Sequence, residues 1–178
     1  MFSEIKKISS LLLSVAFSSI GFIASITVTV LAAREVSSNP LFVGFPNAVG
    51  VGGAVLGTRM IYLISKTNSQ LNALAFTFLI GAFGGAIMFY SLIIDSFLVL
   101  LLGAFILGIG QSATLQTRYA ASFVASTKFK ATALSLAVWF SVFGSVFGPR
   151  MVGSYSNFFE NIFNSDLIVG YVLSLIHI

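Results

Sequence analysis

The sequence predicts an all-α, multi-pass membrane protein with five complete spanning helices and a partial sixth. Three observations lead there. Of 178 residues, 57% are hydrophobic and only 8% are charged, whereas a soluble domain carries roughly 25% charged residues. So little charge cannot cover a surface that faces water, and lipid is the natural solvent. Most of the charges lie in short links between apolar runs of about 20 residues or more, the length a helix needs to span hydrocarbon. Finally, all 16 glycines fall inside long apolar segments. There they serve close helix–helix approach rather than turns.

The same composition excludes several functions. A formal charge of +4 does not make a nucleic-acid surface, because the basic residues are scattered between apolar blocks. Cysteine is absent, which removes disulfides, thiolate metal sites and a thiol nucleophile. No span contains Asp or Glu, and the single histidine, His177, is at the end of the sequence. No catalytic constellation, metal site or cofactor motif is expected.

The spans are expected at 8–33, 41–64, 71–94, 97–125 and 131–153, with a further segment from Leu167. The first resembles a signal peptide, with Lys6 and Lys7 ahead of an apolar run and "LAA" behind it. That run is about 25 residues against 7–15 for a secretory segment, so an uncleaved helix is expected. The last segment, "LIVGYVLSLIHI" at 167–178, reaches only about 18 Å as a helix. It is expected to stop inside a sixth span, as in a truncated reading frame. Lysines 6, 7, 66, 128 and 130 all fall on one side if the chain weaves, while Glu35, Asp95, Glu160 and Asp166 fall on the other. The positive-inside rule then puts the N-terminus in the cytoplasm of a bacterial inner membrane.

An internal repeat divides the chain. "GAVLGTRM" at 53–60 matches "GSVFGPRM" at 144–151 in Gly, Val, Gly, Arg and Met, and "IGFIAS" at 20–25 resembles "IGQSAT" at 109–114. The offsets are nearly equal, which predicts a three-helix unit used twice, about 8–94 and an incomplete 97–178. Three spans per unit makes the copies inverted in the membrane.

Helical spacing sorts the faces. Ser14, Ser18, Gly21, Ser25 and Thr29 share a stripe of the first helix; Asn47, Gly50, Ala54, Gly57 and Thr58 of the second; Gln111, Thr114, Arg118 and Ser122 of the fourth. These stripes either line a shared aqueous cavity or bond between packed helices. The candidates for a solute cavity are Ser18, Ser25, Asn47, Gln111, Thr114 and Arg118. The third helix, with Phe76, Leu79, Ile80, Phe83, Ile87 and Phe89, is mostly greasy apart from Gly81, Gly84 and Gly85, and is expected to face lipid. Arg59 and Arg118, near cytoplasmic ends, can also snorkel to the interface. In the fifth helix Ala133, Ala137, Ser141, Gly144 and Gly148 form a small-residue groove. Pro149 bends the helix by removing one backbone bond. The groove's expected partner is a second half of the protein. Arg150 lies opposite the groove and is a candidate for an ion pair or gate.

The block "LLLGAFILGIGQSATLQTRYAASFVASTKFKATALSLAVWFSVFGSVFGPRMVG" at 100–153 resembles the fourth and fifth helices of the major facilitator superfamily. Its most specific part is "GSVFGPRMVG". It resembles the fifth-helix antiporter motif, with Gly144, Gly148, Pro149 and Gly153 on the pattern and Val152 in place of one glycine. The loop between helices 2 and 3 departs from the family pattern, since no aspartate follows Gly57, and the arginine early in helix 4 is replaced around Ala104. The resemblance implies a twelve-helix transporter with 3+3 inverted repeats in each half, this chain being the N-terminal half. It implies secondary active transport of a small solute by alternating access, of efflux or antiport type. The partners are then the solute, the lipid bilayer and the C-terminal half. The alternative is a complete six-helix channel or a membrane assembly partner.

Overall fold

The computed structural model describes residues 2–37, 39–143 and 146–147. Five α-helices follow one another: α1 (Phe2–Val36), α2 (Phe45–Thr67), α3 (Gln70–Ile93), α4 (Phe97–Val124) and α5 (130–143). No strand occurs among the described residues. Segments Ser9–Val36, Pro40–Thr67, Gln70–Ile93 and Phe97–Val124 are each long and apolar enough to cross a membrane. The helices α1 to α4 match the expected spans to within a few residues at most boundaries. The exception is α1, which begins at Phe2 rather than near 8. Glu4, Lys6 and Lys7 are good helix formers, so nothing in that segment stops the helix.

The links are short because the sequence supplies caps where each helix must end. After α1, the Ser37 hydroxyl donates to the Asn39 carbonyl at 3.1 Å, and the Asn39 side chain accepts from the Leu41 N–H at 3.0 Å. Pro40 and Pro46 sit in the first turns of a 3₁₀ segment (Pro40–Phe42) and of α2, where a missing N–H removes no helical bond. Ser69 caps α3 by accepting from the Asn72 N–H at 3.2 Å. The α3–α4 turn is a Schellman closure. Asp95 takes φ 51°, and the Ser96 N–H donates to the Ser91 carbonyl at 3.0 Å. Aspartate is among the few side chains that tolerate this left-handed geometry. Such tight links force consecutive helices to run antiparallel.

Helix α4 is the axis of the bundle and packs against α1, α2 and α3. Its contacts with α2 and α3 are made through glycine. A Cβ on Gly53 would collide with the Phe105 carbonyl oxygen, and one on Gly108 would collide with that of Gly50. On the other seam, Gly81 of α3 faces Gly110 of α4, where an added Cβ would come within 2.7 Å of the Gly110 Cα. In lipid no hydrophobic push drives helices together, so this backbone-to-backbone approach supplies the dispersion contact that does. Three apolar clusters complete the core. Val28, Ala32, Met88, Leu100 and Leu107 meet at the end carrying the α3–α4 turn. Leu12, Val15, Ala121, Ala133 and Ala137 join α1, α4 and α5 at the opposite end. Ile61, Leu74, Ala113 and Ala120 join α2, α3 and α4.

Two expectations change here. Helix α3 does not simply face lipid. Leu79 and Phe83 are 70% and 67% exposed, yet Ala73, Thr77, Gly81, Gly84, Met88 and Ser91 are buried. Gly81, Gly84 and Gly85, the exceptions in an otherwise greasy helix, join Thr77 and Ser91 to give α3 a second, buried face. The small-residue groove of α5 also has a different partner over its described part. Ala133 and Ala137 are covered by α1 and α4 of the same chain. Gly144, Gly148, Pro149, Arg150 and Gly153, the antiporter-like motif and its arginine, lie outside the described residues, as does the sixth segment.

Candidate functional site

Two adjoining cavities open between α1, α2 and α4, from the first turns of α2 to the middle of α4. The larger, about 170 Å³, is bounded by Phe22, Ile26 and Thr29 of α1, Asn47, Gly50 and Val51 of α2, and Ala104, Leu107 and Gln111 of α4. The smaller, about 10 Å³, is bounded by Ser18, Phe22 and Ser25, by Phe78 of α3, and by Leu107, Gly110, Gln111 and Thr114. They share Phe22, Leu107 and Gln111 and so form one recess with a narrow end.

Helical spacing explains why these side chains converge. On α1, Ser18, Phe22, Ser25 and Thr29 succeed one another by four, three and four residues, which keeps them on one face. On α4, Leu107, Gln111 and Thr114 do the same. The antiparallel course of α2 brings its first turns beside the first half of α4, so Asn47 comes to the recess that Gln111 also lines. Five of the six cavity candidates are thus brought together: Ser18, Ser25, Asn47, Gln111 and Thr114. Arg118 lines neither cavity. It lies two helical turns beyond Gln111, about 10 Å along the axis. Its Nε is buried with no hydrogen-bond partner among the described residues.

The hydroxyls line the recess but do not bond between helices. Ser18 donates to the Val15 carbonyl at 3.3 Å, Ser25 to Phe22 at 2.8 Å and Thr29 to Ser25 at 2.6 Å. Each bond returns to the preceding turn of the same helix, so these serines and threonine do not bridge helices. The reason is local. In an apolar bundle a hydroxyl must find an acceptor, and the nearest carbonyl is one turn back. Each keeps its lone pairs, so it can still accept a hydrogen bond from a solute. The amides of Asn47 and Gln111 differ. Both are half-buried, and neither has a side-chain hydrogen bond among the described residues. Each offers a donor and an acceptor to whatever fills the recess.

The described lining residues are all uncharged. The arrangement can hold and release a molecule; its hydroxyls lack an adjacent base that could activate them for covalent chemistry. Sequence reasoning missed Phe22, Phe78 and Leu107 as wall residues. A signal existed for Phe22, which lies four residues after Ser18 and three before Ser25. None existed for Phe78, whose neighbours Phe76 and Leu79 do face outward.

Known proteins can now be set beside this geometry. No family model and no solved structure matches the chain. The uncharacterized MFS-type transporter YdeG of Bacillus subtilis (strain 168) is 31% identical over 146 residues, covering 82% of this chain and 34% of that protein. The uncharacterized MFS-type transporter YddS of the same strain is 30% identical over 169 residues, covering 95% of this chain and 39% of that protein. The riboflavin transporter RfnT of Brucella anthropi is 29% identical over 122 residues, covering 68% of this chain and 31% of that protein. The chain therefore spans between a third and two-fifths of the length of the first two relatives. This likeness runs through most of the chain and joins an all-helical, multi-pass membrane fold, so the chain belongs to the major facilitator superfamily.

Proposed function

We propose that the chain is the N-terminal half of a secondary transporter that moves a small solute by alternating access. In this reading two six-helix halves rock about a central site and expose it to one side of the membrane at a time. The observation that carries the reading is the recess itself. Polar side chains from α1, α2 and α4 converge on one recess in a bundle of membrane-length helices. Polar groups placed there are costly unless they serve a pathway. The two inverted three-helix units, about 8–94 and 97–178, make up this half, and a second half of the same protein completes the site. The lysine distribution supports a cytoplasmic N-terminus in a bacterial inner membrane. The antiporter-like glycines, Gly144, Gly148 and Gly153 with Pro149, support efflux or exchange, with Arg150 as an ion-pair or gate residue.

The test is transport by the complete reading frame reconstituted in proteoliposomes. Riboflavin, the solute in the name of the Brucella anthropi relative, is the first to assay. Gln111→Ala and Arg118→Ala should each lower flux at equal protein abundance in the bilayer. Undiminished flux in both variants would retire these two residues from the pathway. A frame that closes without a second set of spanning helices would favour a small channel instead.

A further inference from the structure

The recess is built to one chemical specification. Its described lining carries no Asp, Glu, Lys, Arg or His. An ion entering this half of the site would meet no counter-charge on its described lining. The hydroxyls of Ser25 and Thr29 have given their hydrogens to backbone carbonyls, so they offer acceptors only. The two amides, Asn47 and Gln111, remain unspent and present both donors and acceptors. Phe22 and Leu107, common to both cavities, supply an apolar wall for a flat body.

We infer that the substrate class of this half-site is an uncharged molecule with a flat apolar body and one carboxamide-, imide- or lactam-like edge. The inference rests on the reading of the recess as a solute site. An amide edge brings a donor and an acceptor together, the pair that a side-chain amide such as Asn47 or Gln111 complements. A molecule of the same shape without the N–H leaves buried acceptors unsatisfied, which is the stronger form of discrimination. A carboxylate of the same shape meets acceptor lone pairs on Ser25 and Thr29 and no cation among the described lining residues.

The absence of cysteine from this chain makes a thiol reporter direct. Ile26→Cys lines the larger cavity and replaces none of the residues argued to bind. It is placed in the complete reading frame, free of other cysteines, and labelled in vesicles with neutral methyl methanethiosulfonate. Nicotinamide, benzamide and uracil are the neutral amide probes; N,N-dimethylnicotinamide lacks the donor, and nicotinate carries a charge. A neutral amide should slow labelling about tenfold at ten times its dissociation constant, by simple mass action. N,N-dimethylnicotinamide and nicotinate should leave the rate unchanged at the same concentration. Adding Gln111→Leu should remove the protection, with Ile26→Cys alone as the folded reference. Protection by nicotinate equal to that by nicotinamide, or none by any neutral amide, overturns the inference while leaving a reactive, water-filled solute site. A thiol that reacts only after the protein is unfolded in detergent shows a dry cavity, and the transport reading falls with the inference.

Discussion

The two flanks of α4 are built on opposite rules. Toward α2 and α3 its glycines meet glycines and bare carbonyls: Gly108 against Gly50, Phe105 against Gly53, Gly110 against Gly81. Toward α1 and the first turns of α2 the same helix presents Leu107, Gln111 and Thr114, facing Ser18, Phe22, Ser25 and Asn47. On the glycine flank the backbones touch, and only its border residues Gly50 and Gly110 reach the recess. On the side-chain flank the helices are held apart, and a polar recess remains. One helix thus divides the bundle into a tightly joined block and a hollow, and residue size decides which is which. The proposed transport would use both, since a site that opens to alternate sides must be carried by pieces that move as units.

The largest effect should come from filling the closed flank. Gly53→Ala and Gly108→Ala each place a methyl group onto a backbone carbonyl oxygen of the facing helix. A backbone atom cannot rotate away as a side chain can, so the helices must separate. Overpacking costs about 1–3 kcal/mol or more, and in a bundle without hydrophobic drive that should deplete folded protein from the membrane. Membrane abundance and the thermal midpoint in detergent measure it. Midpoints equal to the unsubstituted protein would mean that the seam is looser than the geometry states.

The open flank should respond in function rather than in stability. Gln111→Ala removes an amide that has no side-chain hydrogen bond among the described residues, so the bundle loses little by it. A solute that uses the amide loses one hydrogen bond, roughly tenfold in apparent affinity. Flux measured across a concentration series should show that loss with an unchanged thermal midpoint. A midpoint that falls as far as in Gly53→Ala would erase the distinction between the flanks.

Much of this division was legible in the sequence, and the parts that were not have a common cause. Apolar runs of membrane length located α1 to α4 because a bilayer fixes the length of whatever crosses it. Three- and four-residue spacing put Ser18 with Ser25, and Gln111 with Thr114, because a helix keeps such residues on one face. Periodicity does not say which neighbour a face will meet. Hence the third helix is read as lipid-facing although its Phe78 walls the recess, and the Ala133–Ala137 groove is read as meeting a second half although α1 already covers it. Nor does it say where a hydroxyl sends its proton. Ser25 and Thr29 each have a carbonyl one turn back that outcompetes a more distant partner. Asn47 and Gln111 stood out because a primary amide in a span is conspicuous by type alone.

A smaller effect tests the seam at single-residue resolution. Gly52 is the neighbour of Gly53, yet a Cβ there would meet only the Phe105 ring edge at 3.9 Å, an ordinary contact. Gly52→Ala should therefore be harmless or raise stability, by about 0.5–1 kcal/mol from reduced backbone freedom. The thermal midpoint should rise slightly or hold. Two adjacent glycines with opposite responses would show that the close approach is directional and belongs to one face of α2.

The smallest effect is expected from Thr29→Val on the open flank. The Thr29 hydroxyl donates to the Ser25 carbonyl at 2.6 Å, an oxygen that the helix itself can engage through its own backbone ladder. Losing a second bond to a carbonyl leaves no buried group unsatisfied, and back-bonding of this kind slightly weakens helices. Stability should change by less than about 0.5 kcal/mol. Valine keeps the shape of the wall while deleting the acceptor that Thr29 lends to the recess. A measurable loss of solute binding with an unmoved thermal midpoint would place the hydroxyl oxygen in contact with solute. A marked fall in the midpoint would instead mean that Thr29 joins helices, and the open flank would be held by more than the bulk of its side chains.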